Sequence, residues 1–297
     1  MNAPAAAAAL SGLGFPGGGP AFGTLRSACD PRSAGPGSPD SVTAPFGVLI
    51  EQAIAARLTC LLADWLTRED HAERLPRTMR DFLQTQLRAG RHRWRLHHRE
   101  TARVIATLGE QGIPAAAVNG IAAASLLYDG RGTRQSTDAD ILIPPGATGA
   151  ATRILVGLGY APVGQVGALR RELGDPVVPG LTVDLTSRLA HADDTETPAA
   201  LARRVPAPAW PDAPEPLPVL TRSDAFAHTL ARLATRPRWP GLADALRYAL
   251  AGDPAIPPAA SMPASPAAAA GWDLVLRCWP ELPARPPLAG PAPPETP

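Results

Sequence analysis

Asp138-Ala139-Asp140-Ile141-Leu142-Ile143 sets two carboxylates two residues apart at the head of a short apolar run. On a strand, residues i and i+2 share a face. Asp138 and Asp140 therefore point together, while Ala139, Ile141 and Ile143 point into a core. Adjacent like charges repel, so ionising both calls for a cation or a strong set of donors beside them. A hard divalent cation that takes oxygen ligands meets that demand.

Upstream, Pro114-Ala115-Ala116-Ala117-Val118 reads as a short buried strand. Asn119-Gly120 is a turn, and Ile121–Tyr128 is a short helix closed by Asp129-Gly130. A polar loop, Arg131 to Thr137, leads into the Asp-x-Asp strand. Downstream, Pro144-Pro145-Gly146 ends that strand. Residues 147–158 form an amphipathic helix with Ile154, Leu155 and Leu158 inward, closing at Gly159. Tyr160 to Val163 begins the next strand, and 164–180 reads as loop or irregular hairpin. Leu181-Thr182-Val183-Asp184-Leu185-Thr186 alternates as a half-buried strand, with Asp184 opposite Val183 and Leu185.

Outside this region the pattern is helical. Residues 46–67 carry a broad apolar stripe including Leu49, Ala53, Cys60 and Ala63. A second helix runs from Arg77 through Leu108 and stops at Gly112. Residues 192–220 are Pro-rich and read as mostly loop. Thr221-Arg222-Ser223-Asp224 opens a helix to Ala234, and another spans Gly241 to Leu250. The expected organisation is a disordered tail over 1–44, where too little apolar surface is present to offset ordering entropy. A helical region follows over 45–112, then a core over 113–191 and a loop with two helices over 192–252. A Pro/Ala-rich linker, a short helix near 267–279 and a tail fill 253–297.

Of 297 residues, 36 are proline, and all 28 basic residues are arginine. The absence of lysine, with the excess of Ala, Pro and Gly, looks like the codon bias of a GC-rich genome, and it removes lysine from every catalytic role. A net charge of +1 gives no global pull toward nucleic acid or anionic membrane. Cys29, Cys60 and Cys278 are widely spaced and odd in number, which fits neither a disulfide framework nor a zinc site. A reducing cytoplasm is the plain reading. The first ten residues make a poor signal peptide, and no apolar run reaches the ~18 residues of a membrane span. Arg88–Arg103 is the most basic stretch. It reads either as an anion or nucleic-acid face or as a solvated helix surface with Trp94 and Leu96 inward. The charges fall all round the helix rather than on one stripe, which favours the solvated surface. His97-His98 lacks partners at ligand spacing apart from Glu100, which speaks against a metal there.

The helix after Asn119-Gly120 begins with unpaired amide donors and a positive dipole end, which suit phosphate, and Gly120 lets phosphate approach closely. Asp138, Asp140 and Asp184, brought by neighbouring strands to face it, can hold two Mg²⁺ ions. Such a pair orients a nucleoside triphosphate and lowers the pKa of an attacking hydroxyl.

These motifs resemble the uncharacterised bacterial nucleotidyltransferase family of the DNA polymerase beta-like superfamily, over roughly residues 46–250. That family shows an apolar strand ending in Lys-Gly, a helix ending near a Tyr, an Arg four residues before Asp-x-Asp, and later a helix ending in Leu-Gly-Tyr and a Val-Asp-Leu strand. Here these are Asn119-Gly120, Ile121–Tyr128, Arg134, Asp138–Asp140, Leu158-Gly159-Tyr160 and Val183-Asp184-Leu185. Its downstream helices, which often carry a His, resemble 221–250 with His228. Asn119 stands where the family has lysine, and Thr186 where it has a histidine. The resemblance implies an α+β fold, a minimal mixed sheet with flanking helices. It also implies a transferase moving a nucleoside monophosphate from a triphosphate to an acceptor hydroxyl with Mg²⁺ or Mn²⁺. Asp138, Asp140 and Asp184 would be the metal-binding and catalytic residues, and Asn119, Gly120 and Arg134 the nucleotide contacts. The acceptor can be a small molecule, a peptide, a protein side chain or an RNA end. The alternative is an inactive nucleotide- or partner-binding member of the same fold.

Overall fold

The computed structural model describes residues 20–33, 45–68, 73, 75–164, 166–193, 195–251 and 265–282. Among them are ten helices and seven strands. The helices are α1 (Pro20–Cys29), α2 (Phe46–Ala55), α3 (Thr59–Leu66), α4 (Arg77–Glu110), α5 (Asn119–Leu127), α6 (Thr148–Gly157), α7 (Glu196–Ala202), α8 (Arg222–Thr235), α9 (Trp239–Leu250) and α10 (Pro266–Cys278). The strands are β1 (Ala116–Val118), β2 (Asp138–Leu142), β3 (Ala161–Pro162), β4 (Ala168–Glu172), β5 (Gly180–Thr186), β6 (Val205–Pro206) and β7 (Pro218–Val219). The strands form one mixed sheet in the order β3-β4-β5-β2-β1-β7-β6. β2 runs parallel to β5, and β1 parallel to β7; the other pairings are antiparallel. The protein is α+β.

The period-2 alternation of β2 sorts its residues between two cores. Ala139, Ile141 and Ile143 are buried with Leu181 and Val183 of β5, against Val104, Ile105 and Leu108 of α4 and Leu155 of α6. On the opposite face, Leu142, Ala116 and Val118 join a larger core built by α1–α3 and α8–α10. Asp138 and Asp140 stand on this second face, so the carboxylates look toward the helical half of the molecule.

Helix ends follow local chemistry. After α4, Gly112 takes φ +74° and the Ile113 amide donates back to the Leu108 carbonyl at 2.9 Å. After α6, Gly159 takes φ +87° and the Tyr160 amide donates to Leu155 at 3.0 Å. Both are left-handed stops that glycine adopts without a Cβ penalty. At the start of α8, Thr221 accepts from the Asp224 amide and donates its hydroxyl to the Asp224 carboxylate. This cap satisfies one of the free backbone amides of the first turn.

Several expectations need correction. Residues 20–29, expected within a disordered tail, form α1, because Leu25, Ala28 and Cys29 recur on one face and bury completely or nearly so. The rest of that expected tail, 1–19 and 34–44, lies outside the described residues, as do most of the 253–266 linker and the end of the chain. The stripe over 46–67 is two helices rather than one. The chain breaks at Ala56–Leu58, where Arg57 takes φ +56°. Residues 164–180 contain a full strand, β4, paired with β5 over five residues. The Pro-rich 192–220 stretch carries α7, β6 and β7. The segments expected as separate regions over 45–112 and 192–252 share one core.

Candidate active site

Register brings the three predicted carboxylates together on one face. β2 and β5 pair in parallel with Asp140 opposite Asp184 and Asp138 opposite Thr182. Neighbouring strands lie about 4.8 Å apart, so directly paired residues project side by side. Asp138 shares the face two residues earlier. On the other flank Asp140 pairs with Val118, the last residue of β1. The chain then enters α5 at once, so Asn119 sits beside Asp140. Among the described residues, no three His, Cys, Asp or Glu side chains are already gathered as a preformed cage. The donor set is three oxygen acids on adjacent strands, the chemistry of a hard divalent cation.

Their electrostatics record the crowding. Burial pushes the Asp140 carboxyl up to about 6. Arg232 opposes this, Asp138 and Asp184 add to it, and the nearby Asn119 amide offsets part. Arg232 is too weak to win: its Nη1 is 3.9 Å from Asp140 Oδ1 and its side chain is 38% exposed, so solvent screens the pair. Asp184 is raised by burial and by Asp138, with Arg232 again opposing. Two carboxyls whose ionisation is disfavoured are held where a cation would relieve them.

Asn119 opens α5 with φ +54°, a left-handed conformation that asparagine tolerates better than most residues. Its buried amide nitrogen makes no hydrogen bond of good geometry. Gly120 is closed over by the loop: a Cβ there would lie 2.6 Å from Ser136 Oγ. Ser136 in turn donates to the Asp138 carbonyl at 2.7 Å, fixing the head of β2. Arg134 lines the same cleft, but its charge is matched within the protein. Nε and Nη2 reach Asp244 at 2.8–3.0 Å, and another nitrogen donates to the Gln135 carbonyl. Tyr128 also donates to Asp244 at 2.8 Å. Burial alone would lower the Arg134 pKa, yet Asp244 holds it above its ordinary value. Arg134 therefore ties the 131–137 loop to α9.

The reading from sequence missed the opposite wall. The cleft is bounded by Arg57, Arg232, Arg236 and Arg238 as well as by Asn119, Gly120, Arg134, Asp138 and Asp140, while Asp184 is not among its lining residues. Arg57 is the left-handed residue between α2 and α3 and donates to Thr137 at 3.3 Å. Arg236 and Arg238 are exposed at the α8–α9 junction. No ion pair engages Arg57, Arg236 or Arg238 among the described residues. The local signal was the spacing Arg232-x-x-x-Arg236-x-Arg238 around a helix end. His228 does not enter the site. It accepts the Ala190 amide at Nδ1, 3.0 Å, holding the segment after β5, and burial pushes its pKa down to about 3, so it is neutral. Thr186 turns back to the Arg188 carbonyl. Ser125 contacts His98 at 3.2 Å, and His98 donates from Nε2 to the Glu215 carbonyl.

A mixed sheet with paired acidic strands thus carries a helix start beside them and a cationic wall opposite. The stretch 44–246 matches the family described as uncharacterised nucleotidyltransferase, and the chain belongs to that family. Among curated proteins none matches it. Among solved structures it is similar to an antigenic nucleotidyltransferase-like protein from Paracoccidioides brasiliensis. That likeness is 14% in identity with a TM-score of 0.45, covering 62% of this chain and 88% of the other. No described helix is long and apolar enough to cross a membrane.

Proposed function

We propose that the chain transfers a nucleoside monophosphate from a nucleoside triphosphate to an acceptor hydroxyl, releasing pyrophosphate. The observation that carries this is the in-register pairing of Asp140 with Asp184, with Asp138 on the same face, where Asp138 and Asp140 line one cleft with Arg57, Arg236 and Arg238. Asp138 and Asp140 would hold two divalent cations, Mg²⁺ or Mn²⁺, and Asp184 would share the one nearer the acceptor. Bound there, the cations supply Lewis acidity to the reacting phosphate and lower the pKa of the acceptor hydroxyl. Asp184 lies where it can take that proton. The α5 amides at Gly120 and the guanidinium groups of Arg57, Arg236 and Arg238 bind the triphosphate oxygens. They offset the charge that builds on the departing pyrophosphate. Arg134 positions the loop without leaving Asp244.

A binding-only role is the second reading, favoured by Asn119 standing where the resemblance places a lysine. The arginine wall answers that loss, because cations from α8, α9 and the α2–α3 break face the same cleft. The test uses purified protein, labelled forms of all four triphosphates, Mg²⁺ or Mn²⁺ and a broad acceptor panel. Wild type should label an acceptor, and Asp138→Asn should lose roughly 10²-fold or more. Metal-dependent triphosphate binding by calorimetry, with no labelling anywhere, would select the binding-only role.

A further inference from the structure

The long helix α4 carries a second charged surface away from the carboxylates. At 100° per residue, Arg88, Arg91, Arg95 and Arg99 fall within about 100° of arc and span ~16 Å along the axis. All four are exposed. The charges that made the stretch look evenly basic sort otherwise: Arg103 pairs with Glu100 at 2.9 Å, and Arg93 lies beside His97 on the far side. Arg88, Arg91 and Arg95 line a groove whose other bank is Arg131, from the loop that runs on into the catalytic cleft.

The acids facing this groove neutralise it only in part. Asp212 takes Arg95 at 2.8 Å, and Asp175 takes His92 at 2.8 Å. Asp64 is committed to Arg68 at 2.8 Å and reaches Arg131 only at 3.7 Å. Arg88, Arg91 and Arg99 have no carboxylate partner among the described residues. Like charges three and four residues apart destabilise a helix, so the stripe costs α4 some stability. The loop bank is built in as well. A Cβ on Gly132 would lie 2.5 Å from the Arg91 Cα, so that the loop backbone rests directly on α4.

We propose that this stripe docks a phosphodiester chain, RNA in the first instance. One cation every 4.5–6 Å along a straight helix suits a backbone with a charge at each nucleotide. The groove offers Leu87 as its one apolar lining residue, so it lacks the side-chain pockets by which an extended acidic peptide is read. No Phe, Tyr or Trp is among its lining residues and His92 is taken by Asp175, so contacts are to phosphate and independent of base sequence. That the docked chain also serves as acceptor rests on the nucleotidyl-transfer reading, since Arg131 and Thr133 of the groove lead directly to Arg134–Thr137 of the cleft.

Fluorescence anisotropy with a short labelled RNA, in chelator and without triphosphate, tests docking independently of catalysis. Wild type should bind with a log–log salt slope of about −2, as the three phosphate contacts of Arg88, Arg91 and Arg99 give on a single strand. Arg91→Gln/Arg99→Gln should weaken binding about tenfold and reduce the slope by one to two. Arg153→Gln, on α6, should change neither. No RNA binding, equal binding by the double variant, or tighter stripe-dependent binding of poly-glutamate would each overturn the proposal. Labelling of the bound RNA by wild type and not by Asp138→Asn supports the acceptor role. Docking without labelling overturns that role alone.

Discussion

At the residue scale, the site's chemistry is concentrated in Asp140. The folded chain holds its proton to about pH 6, while the unfolded chain releases it near 3.8. Between those values the unfolded state binds fewer protons, so stability falls as pH rises, and the penalty is complete above about 6. Asparagine cannot ionise. In chelator, Asp140→Asn should therefore be more stable than wild type near neutral pH, by roughly 1–3 kcal/mol, and equal to it below the unfolded pKa. Equal melting temperatures at neutral pH would refute the crowding described here. The same substitution should abolish transfer, a trade of stability for function common at sites that gather like charges. This residue was legible in the sequence, because period-2 spacing fixes the face of Asp138 and Asp140, and the alternation of residues 181–186 fixes that of Asp184. Arg57, Arg236 and Arg238 were not. They reach the cleft from a helix break and a helix junction whose placement depends on tertiary packing.

At the element scale, the cationic wall depends on how α8 is held. Gly271 of α10 lets that helix lie directly on α8: a Cβ there would overlap the Leu230 carbonyl and lie 2.6 Å from its carbon. Backbone cannot yield as a flexible side chain can. Gly271→Ala should force the helices apart and cost about 3 kcal/mol, despite alanine's better helix propensity. It should also weaken triphosphate binding through displacement of Arg232 on the same helix and of Arg236 just past its end. Chemical denaturation reads the first effect and calorimetry the second; a variant as stable as wild type would show that α10 does not clamp α8. Long periodic elements such as α4 and α8 were readable. β4, with Ala168-Leu169-Arg170-Arg171-Glu172, has too little alternation to announce a strand, and β6 and β7 span two residues each. Their pairing is a property of the sheet rather than of their own sequence.

At the scale of the whole molecule, α1 and α10 lie outside the family-matched stretch and still belong to the larger core. α1 was hidden in the sequence because the Gly and Pro around it dilute a ten-residue amphipathic pattern. Its position joins the two ends of the described chain. Arg26 and Arg32 reach Glu281 at 2.9 and 3.1 Å, and Trp65 donates to Ser33 at 2.8 Å. The ring of Phe22 lies 5.6 Å from that of Trp239. The exposed ion pairs contribute little; burial of Leu25, Ala28 and Cys29 contributes more. Removing residues 1–33 uncovers apolar surface on α3 and α9, offset in part by the entropy of the segment no longer ordered. The net loss should be of order 2–4 kcal/mol. For a molecule of this size that corresponds to a fall in melting temperature of about 3–8 °C. Trp239 and Trp65 should become more quenchable by iodide as their cover is lost. Because α9 supplies Asp244, the partner of Arg134, the shortened chain should also lose triphosphate affinity. A shortened chain melting within about 2 °C of the full one would place α1 outside the cooperative unit, and would leave the matched stretch self-sufficient.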